Sequence, residues 1–63
     1  MALKLKEWRR IKEISQAEMA SMCGVNHNTY RAWEKDPGNI KLNMAFKIAD
    51  ILEVDVHDII FLP

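Results

Sequence analysis

A single cysteine, Cys23, is all the thiol that this 63-residue chain contains, so an internal disulfide is excluded. Cys23 reads instead as a small buried apolar residue in a reducing cytoplasm. Long hydrophobic runs are missing too. The longest, Ile59-Ile60-Phe61-Leu62, is far short of a membrane span, and no signal peptide is visible. The expected protein is soluble and cytoplasmic, with no membrane partner. Repeats, low-complexity segments and linkers are also absent, so residues 1–63 are expected to form one domain. That length is near the lower limit for a single unstapled core, and oligomerisation would help it.

Catalytic constellations are equally lacking. Cys23, His27 and His57 are the only thiol and imidazoles, and a glycine turn separates Cys23 from the helix that begins at His27. No serine, histidine and aspartate share an evident location, and no glycine-rich phosphate loop occurs. The expectation is no catalysis, no metal, no cofactor and no small-molecule effector.

What the chain does carry is concentrated in residues 15–34, SQAEMASMCGVNHNTYRAWE. Ser15 and Glu18 have the spacing of a capping box, with Ile14 and Met19 placed as a hydrophobic staple around it. A helix starting there ends at Gly24, whose missing Cβ permits the left-handed conformation of a helix C-terminus. A second helix restarts at Asn26, a favoured N-cap, with Val25 and Tyr30 again at staple spacing. At about 100° per residue, His27, Asn28, Arg31, Ala32 and Lys35 share one arc of that helix. Tyr30 and Trp33 lie on the opposite arc with Thr29 and are expected to face the core.

The flanking segments read as scaffold. A helix over about residues 3–13 can bury Leu5, Trp8 and Ile11. Another, over about 42–52, can bury Leu42, Ala45, Phe46, Ile48, Ala49 and Leu52. A further helix is expected from Asp55, where Asp58 sits at the third helical position and Val54 with Ile59 repeats the staple. Net charge is zero, with pI near 6.7, but the distribution is uneven. All nine Lys and Arg stand at or before Lys47 against five acids, a surplus of four positive charges; Asp50, Glu53, Asp55 and Asp58 then balance it. Such a dipole can orient an approach to nucleic acid without making the whole surface sticky.

Taken in order, Arg9, Ser15-Gln16, Met19-Ala20, Gly24-Val25, Trp33-Glu34 and Lys47-Ile48-Ala49 resemble the helix-turn-helix domain of phage Cro and repressor proteins, the xenobiotic-response-element family. The resemblance covers nearly the whole chain. It implies an all-α, compact five-helix lambda-repressor-like domain, with the helix-turn-helix formed by helices 2 and 3. The chain departs from the family at two joints. Many relatives place a glycine after the first helix, where this chain has Glu13, and cap the fourth helix with serine or threonine, where it has Lys41. Asp36-Pro37-Gly38-Asn39 also reads as a turn of its own.

The resemblance implies a sequence-specific regulator of transcription that binds double-stranded DNA, with repression by occlusion of a palindromic operator. Base-edge contacts are assigned to His27, Asn28, Arg31 and Ala32: Asn28 suits adenine, Arg31 guanine, and the Ala32 methyl a thymine methyl. His27 could instead reach phosphate. Gln16 lies at a helix N-terminus, where free N–H groups favour phosphate, and in the family the matching glutamine grips the backbone. Asn26, Thr29, Lys35, Asn39 and Lys41 are further phosphate candidates. The resemblance also implies a structural ion pair between Arg9 and Glu34. A two-fold dimer would double the contacts on a palindrome, with Phe61 and Leu62 as interface candidates, although the same residues could fold back under the first helix. The alternative function is an antitoxin or protein-interaction module on this fold. Because Met1 stands just before the first helix and Pro63 just after the last, a complete small regulator is the simpler expectation.

Overall fold

The computed structural model describes residues 1–62. Strand β1 (Leu3–Lys4) leads directly into helix α1 (Leu5–Ile11), followed by α2 (Gln16–Cys23) and α3 (His27–Lys35). A single 3-10 turn, Pro37–Asn39, connects to α4 (Leu42–Leu52). A second such turn, Val56–Asp58, ends in strand β2 (Ile59–Ile60), which pairs in parallel with β1: Leu3 opposite Ile59 and Lys4 opposite Ile60.

Three of the four helices end in the same way. At Glu13, Gly24 and Glu53 the backbone turns left-handed, with φ of 57°, 74° and 58°. Each of these residues gives its N–H to a carbonyl three residues back, and the following residue, Ile14, Val25 or Val54, gives its own to one five residues back. These are the paired bonds of a Schellman ending, which satisfy carbonyls the helix leaves open. Ile14, Val25 and Val54 then pack against the core, and the next residue, Ser15, Asn26 or Asp55, caps the following element with its side chain. The joint after α1 is therefore closed by a glutamate in a conformation that glycine adopts without strain. At α4 no side chain caps the start; Lys41 is the N-cap residue, and Asn43 Oδ1 accepts the Met44 N–H at 2.9 Å.

The core is built from Leu5, Met19, Ala20, Cys23, Tyr30, Ile48, Ala49, Leu52 and Ile59, with Trp8 and Trp33 packed on its edge; Ala45 is buried as well. Three residues expected inside are largely outside: Ile11 is 55 % exposed, Leu42 72 % and Phe46 52 %. On α1 the inward direction is set by Leu5, Trp8 and Arg9, and at 100° per residue Ile11 falls about 120° from Leu5. On α4, Ala45, Ile48, Ala49 and Leu52 define the inward stripe; Phe46 lies about 100° off Ala45, and Leu42 is the first residue, one turn before the buried stripe begins.

The fifth helix is absent among the described residues, and the first is shorter than expected. After the Asp55 cap, which accepts the His57 N–H at 2.8 Å, one 3-10 turn forms and Ile59 is extended, with φ −108° and ψ 127°. Two adjacent β-branched residues, Ile59 and Ile60, favour strand. Leu3 and Lys4 meet Ile59 and Ile60 as a strand, which delays the start of α1 to Leu5. Phe61 is half-buried against the core while Leu62 is exposed, so the apolar run is split between inside and outside.

Candidate nucleic-acid interface

Between α2 and α3 the chain reverses through Gly24 and Val25. Asn26 Oδ1 accepts the Asn28 N–H at 2.8 Å, so the first turn of α3 starts with a donor satisfied. The fully buried Tyr30 then anchors the helix, its ring edge-on to Trp33 with centroids 6.1 Å apart. With those aromatics turned inward, His27, Asn28, Thr29, Arg31, Ala32 and Lys35 are all left exposed.

The far end of α3 is locked by an ion pair. Arg9 Nε donates to Glu34 Oε2 at 2.6 Å, Nη2 to Oε1 at 3.3 Å, and Nη1 to the Ile14 carbonyl at 2.9 Å. The side chains are only 10 % and 5 % exposed. Gln16 Nε2 donates to the same carboxylate at 3.0 Å, so α1, the start of α2 and the end of α3 meet at Glu34. Burial works to raise the Glu34 pKa, but contacts with Arg9, Tyr30 and Gln16 outweigh it and hold the carboxyl below its ordinary range. The hydrogen bond to Glu34 raises the pKa of Arg9 further. The Tyr30 hydroxyl lies buried beside the pair without a well-formed hydrogen bond; burial, then the Glu34 carboxylate, push its pKa well up.

The expected contact residues fall into three groups. His27, Asn28 and Ala32 present a patch on α3, with Asn26 and Thr29 at its N-terminal margin. Gln16, Arg31 and Lys35 line a shallow depression together with Glu34 and with Lys6 of α1. Asn39 and Lys41 line a second depression with Trp33, Asn43 and Met44, where Asn39 Nδ2 also donates to Asp36 Oδ2 at 2.8 Å. Sequence reasoning missed Lys6 and Asn43, because no local spacing relates them to α3. Their proximity depends on how α1 and α4 pack, and for Lys6 the only available signal is the Arg9 to Glu34 pairing that brings α1 to α3. Phe61 and Leu62 line neither depression.

Cys23 is buried, and burial pushes its thiol pKa up. Among the described residues no cluster of His, Cys, Asp and Glu could hold a metal, and no helix is long and apolar enough to cross a membrane.

The sequence is similar to those of known proteins. The helix-turn-helix family matches residues 5–59. A protein of Methanocaldococcus jannaschii, described as an uncharacterized HTH-type transcriptional regulator, is 37 % identical over 59 residues, covering 94 % of this chain and 89 % of the relative. A second uncharacterized HTH-type transcriptional regulator, from Archaeoglobus fulgidus, is 34 % identical over 59 residues, covering 94 % and 83 %. With the matched span running from the start of α1 to β2, and the capped α2, turn and α3 at its centre, the chain belongs to the Cro- and repressor-type helix-turn-helix family, a family of DNA-binding transcription regulators.

Proposed function

We propose that this protein represses transcription by binding a palindromic operator in double-stranded DNA as a homodimer, with α3 entering the major groove. One observation carries the reading. The inner side of α3 is immobilised by Tyr30 and by the Glu34 junction, while its outer side offers polar and small residues unobstructed. In this reading Asn28 pairs with adenine and Ala32 meets a thymine methyl, with His27 beside them and Arg31 at their flank. Asn26 and Thr29 at the start of α3, Gln16 at the start of α2, and Lys35, Asn39 and Lys41 in the two depressions serve the phosphates.

Dimerisation follows from the size of the reader. One helix of this length contacts too few bases for a unique site, and two-fold related copies about 34 Å apart would read successive major grooves. The exposed Leu62, continuing from Phe61, supplies apolar surface for that contact. Occupancy would then respond to protein concentration and salt, with no effector needed.

Selection of binders from a randomised duplex library tests this, with a folded His27→Ala, Asn28→Ala variant as control. The expected result is a palindromic motif that the variant fails to enrich. The rival reading, an antitoxin or protein-interaction module, is favoured by the exposed Leu42 and Phe46 on α4 and by the zero net charge. Failure to enrich any motif would support it.

A further inference from the structure

The depression at the foot of α3 gathers three cations from two helices: Lys6 from α1, Arg31 and Lys35 from α3. Among the described residues Glu34 is the only acid lining it, and that carboxylate is already engaged by Arg9 and Gln16. Among the described residues, none of the three cations lies within ion-pairing distance of a carboxylate. All three are exposed. The Arg9 to Glu34 link holds α1 and α3 in place, so the positive charges converge on a fixed hollow whose one acid is already paired with Arg9.

We propose that this hollow seats the phosphodiester backbone of the duplex, that Lys6 is a further DNA contact supplied by the first helix, and that Arg31 grips the backbone rather than reading a guanine. The proposal rests on the duplex-binding reading above and deepens it. Charge complementarity selects a polyanion, and the hollow borders the face that carries Asn28 and Ala32, so a strand whose bases face those residues runs past it. Arg31 lines the hollow with Gln16 and Lys35, and its forked donors suit phosphate oxygens as well as they suit guanine. Base selection is then left to His27, Asn28 and Ala32. Lys6, far from α3 in sequence, becomes part of the interface through packing alone.

The test uses Lys6→Gln, Arg31→Gln and, as a control outside the hollow, Lys12→Gln, each checked for native circular dichroism. Affinity is measured by fluorescence anisotropy against the selected duplex and a panel of its single-base variants, over a series of salt concentrations. A phosphate contact adds about 0.9 to the slope of log affinity against log salt, equivalent to about fivefold in affinity at 0.15 M salt. Lys6→Gln and Arg31→Gln are each expected to lose about that much, equally on every duplex, with the slope reduced by about one and the ranking of base variants unchanged. Lys12→Gln is expected to change little.

A reordered ranking in Arg31→Gln would overturn the backbone assignment of Arg31. An unchanged slope in Lys6→Gln, with wild-type binding intact, would overturn the role of Lys6 while leaving the duplex reading standing; equal losses in Lys12→Gln would do the same by showing a diffuse charge effect. Wild-type protein that binds no duplex removes both readings. Inorganic phosphate is expected to compete no better than chloride at equal ionic strength, and preferential competition would assign the hollow to free phosphate instead.

Discussion

Replacing Arg9 by alanine removes a guanidinium that meets both oxygens of the Glu34 carboxylate and the carbonyl of Ile14. With the two side chains 10 % and 5 % exposed, water cannot readily take the place of the lost donors, and Glu34 keeps only the amide of Gln16 and the neighbouring Tyr30 hydroxyl. Removing one partner of a buried pair costs about 3–5 kcal/mol. A domain of this length has a total stability of about 3–9 kcal/mol, so Arg9→Ala is expected to be largely unfolded near physiological temperature. Urea unfolding followed through Trp8 and Trp33 fluorescence, with circular dichroism for helix content, measures the loss. Arg9→Leu combined with Glu34→Leu is expected to recover much of it, because no charge is then left stranded. The pH response gives a second signature. In the wild type the Glu34 pKa is depressed, so the stability it contributes is present above the unfolded carboxyl value and is lost as pH falls through the lower folded value. Without Arg9, burial raises that pKa, and the sign reverses: acidification relieves the destabilisation. A loss below about 1 kcal/mol, the range of solvent-exposed pairs, together with an unreversed pH slope, would refute the reasoning.

Three further outcomes follow from the geometry. Glu13→Gly is expected to stabilise the fold by about 0.5–1 kcal/mol, since the relief of left-handed strain exceeds the added unfolded-state entropy; thermal melting checks it, and Glu53→Gly should behave alike. Ser15→Ala removes the hydroxyl that accepts the Glu18 N–H at 3.0 Å and is expected to cost about 1 kcal/mol in chemical denaturation. Leu42→Gln and Phe46→Gln should each change stability by no more than about 0.5 kcal/mol, whereas Ile48→Ala on the buried stripe of the same helix should cost about 2–5 kcal/mol.

The central motif was legible because its signals are local. Ser15 with Glu18, Gly24 and Asn26 each act within a few residues, and each forms the cap or turn its chemistry dictates. The Arg9 to Glu34 pair came from family resemblance, since 25 residues separate its members and no spacing announces it. The C-terminal segment was misread because Asp55 and the Val54 to Ile59 spacing suit a helix start, while the competing partner for Ile59 and Ile60 lies at Leu3 and Lys4, at the other end of the chain. The left-handed residues at Glu13 and Glu53 were hidden by their identity. The recurring sequel, a β-branched apolar residue followed by a capping residue, marks all three such endings and could have found them. Exposure of Ile11 and Phe46 depended on which stripe of each helix the neighbours covered, and hydrophobicity alone does not set that rotation.

The parallel pairing of Leu3–Lys4 with Ile59–Ile60 governs the order of events during folding. Although α2 and α3 can find one another early through their short turn, α1 receives part of its support from a segment more than fifty residues away. Trp8 Nε1 donates to the Asp58 carbonyl at 2.6 Å, which ties the same two regions together. Closing so large a loop is entropically slow, so a chain emerging from the ribosome cannot complete the seat of α1 until residue 59 has been made. The junction at Glu34 depends on α1 and the hollow on Lys6. Competence to bind would therefore wait for the segment at residues 58–60, and a nascent chain lacking it would not occupy its target half-formed.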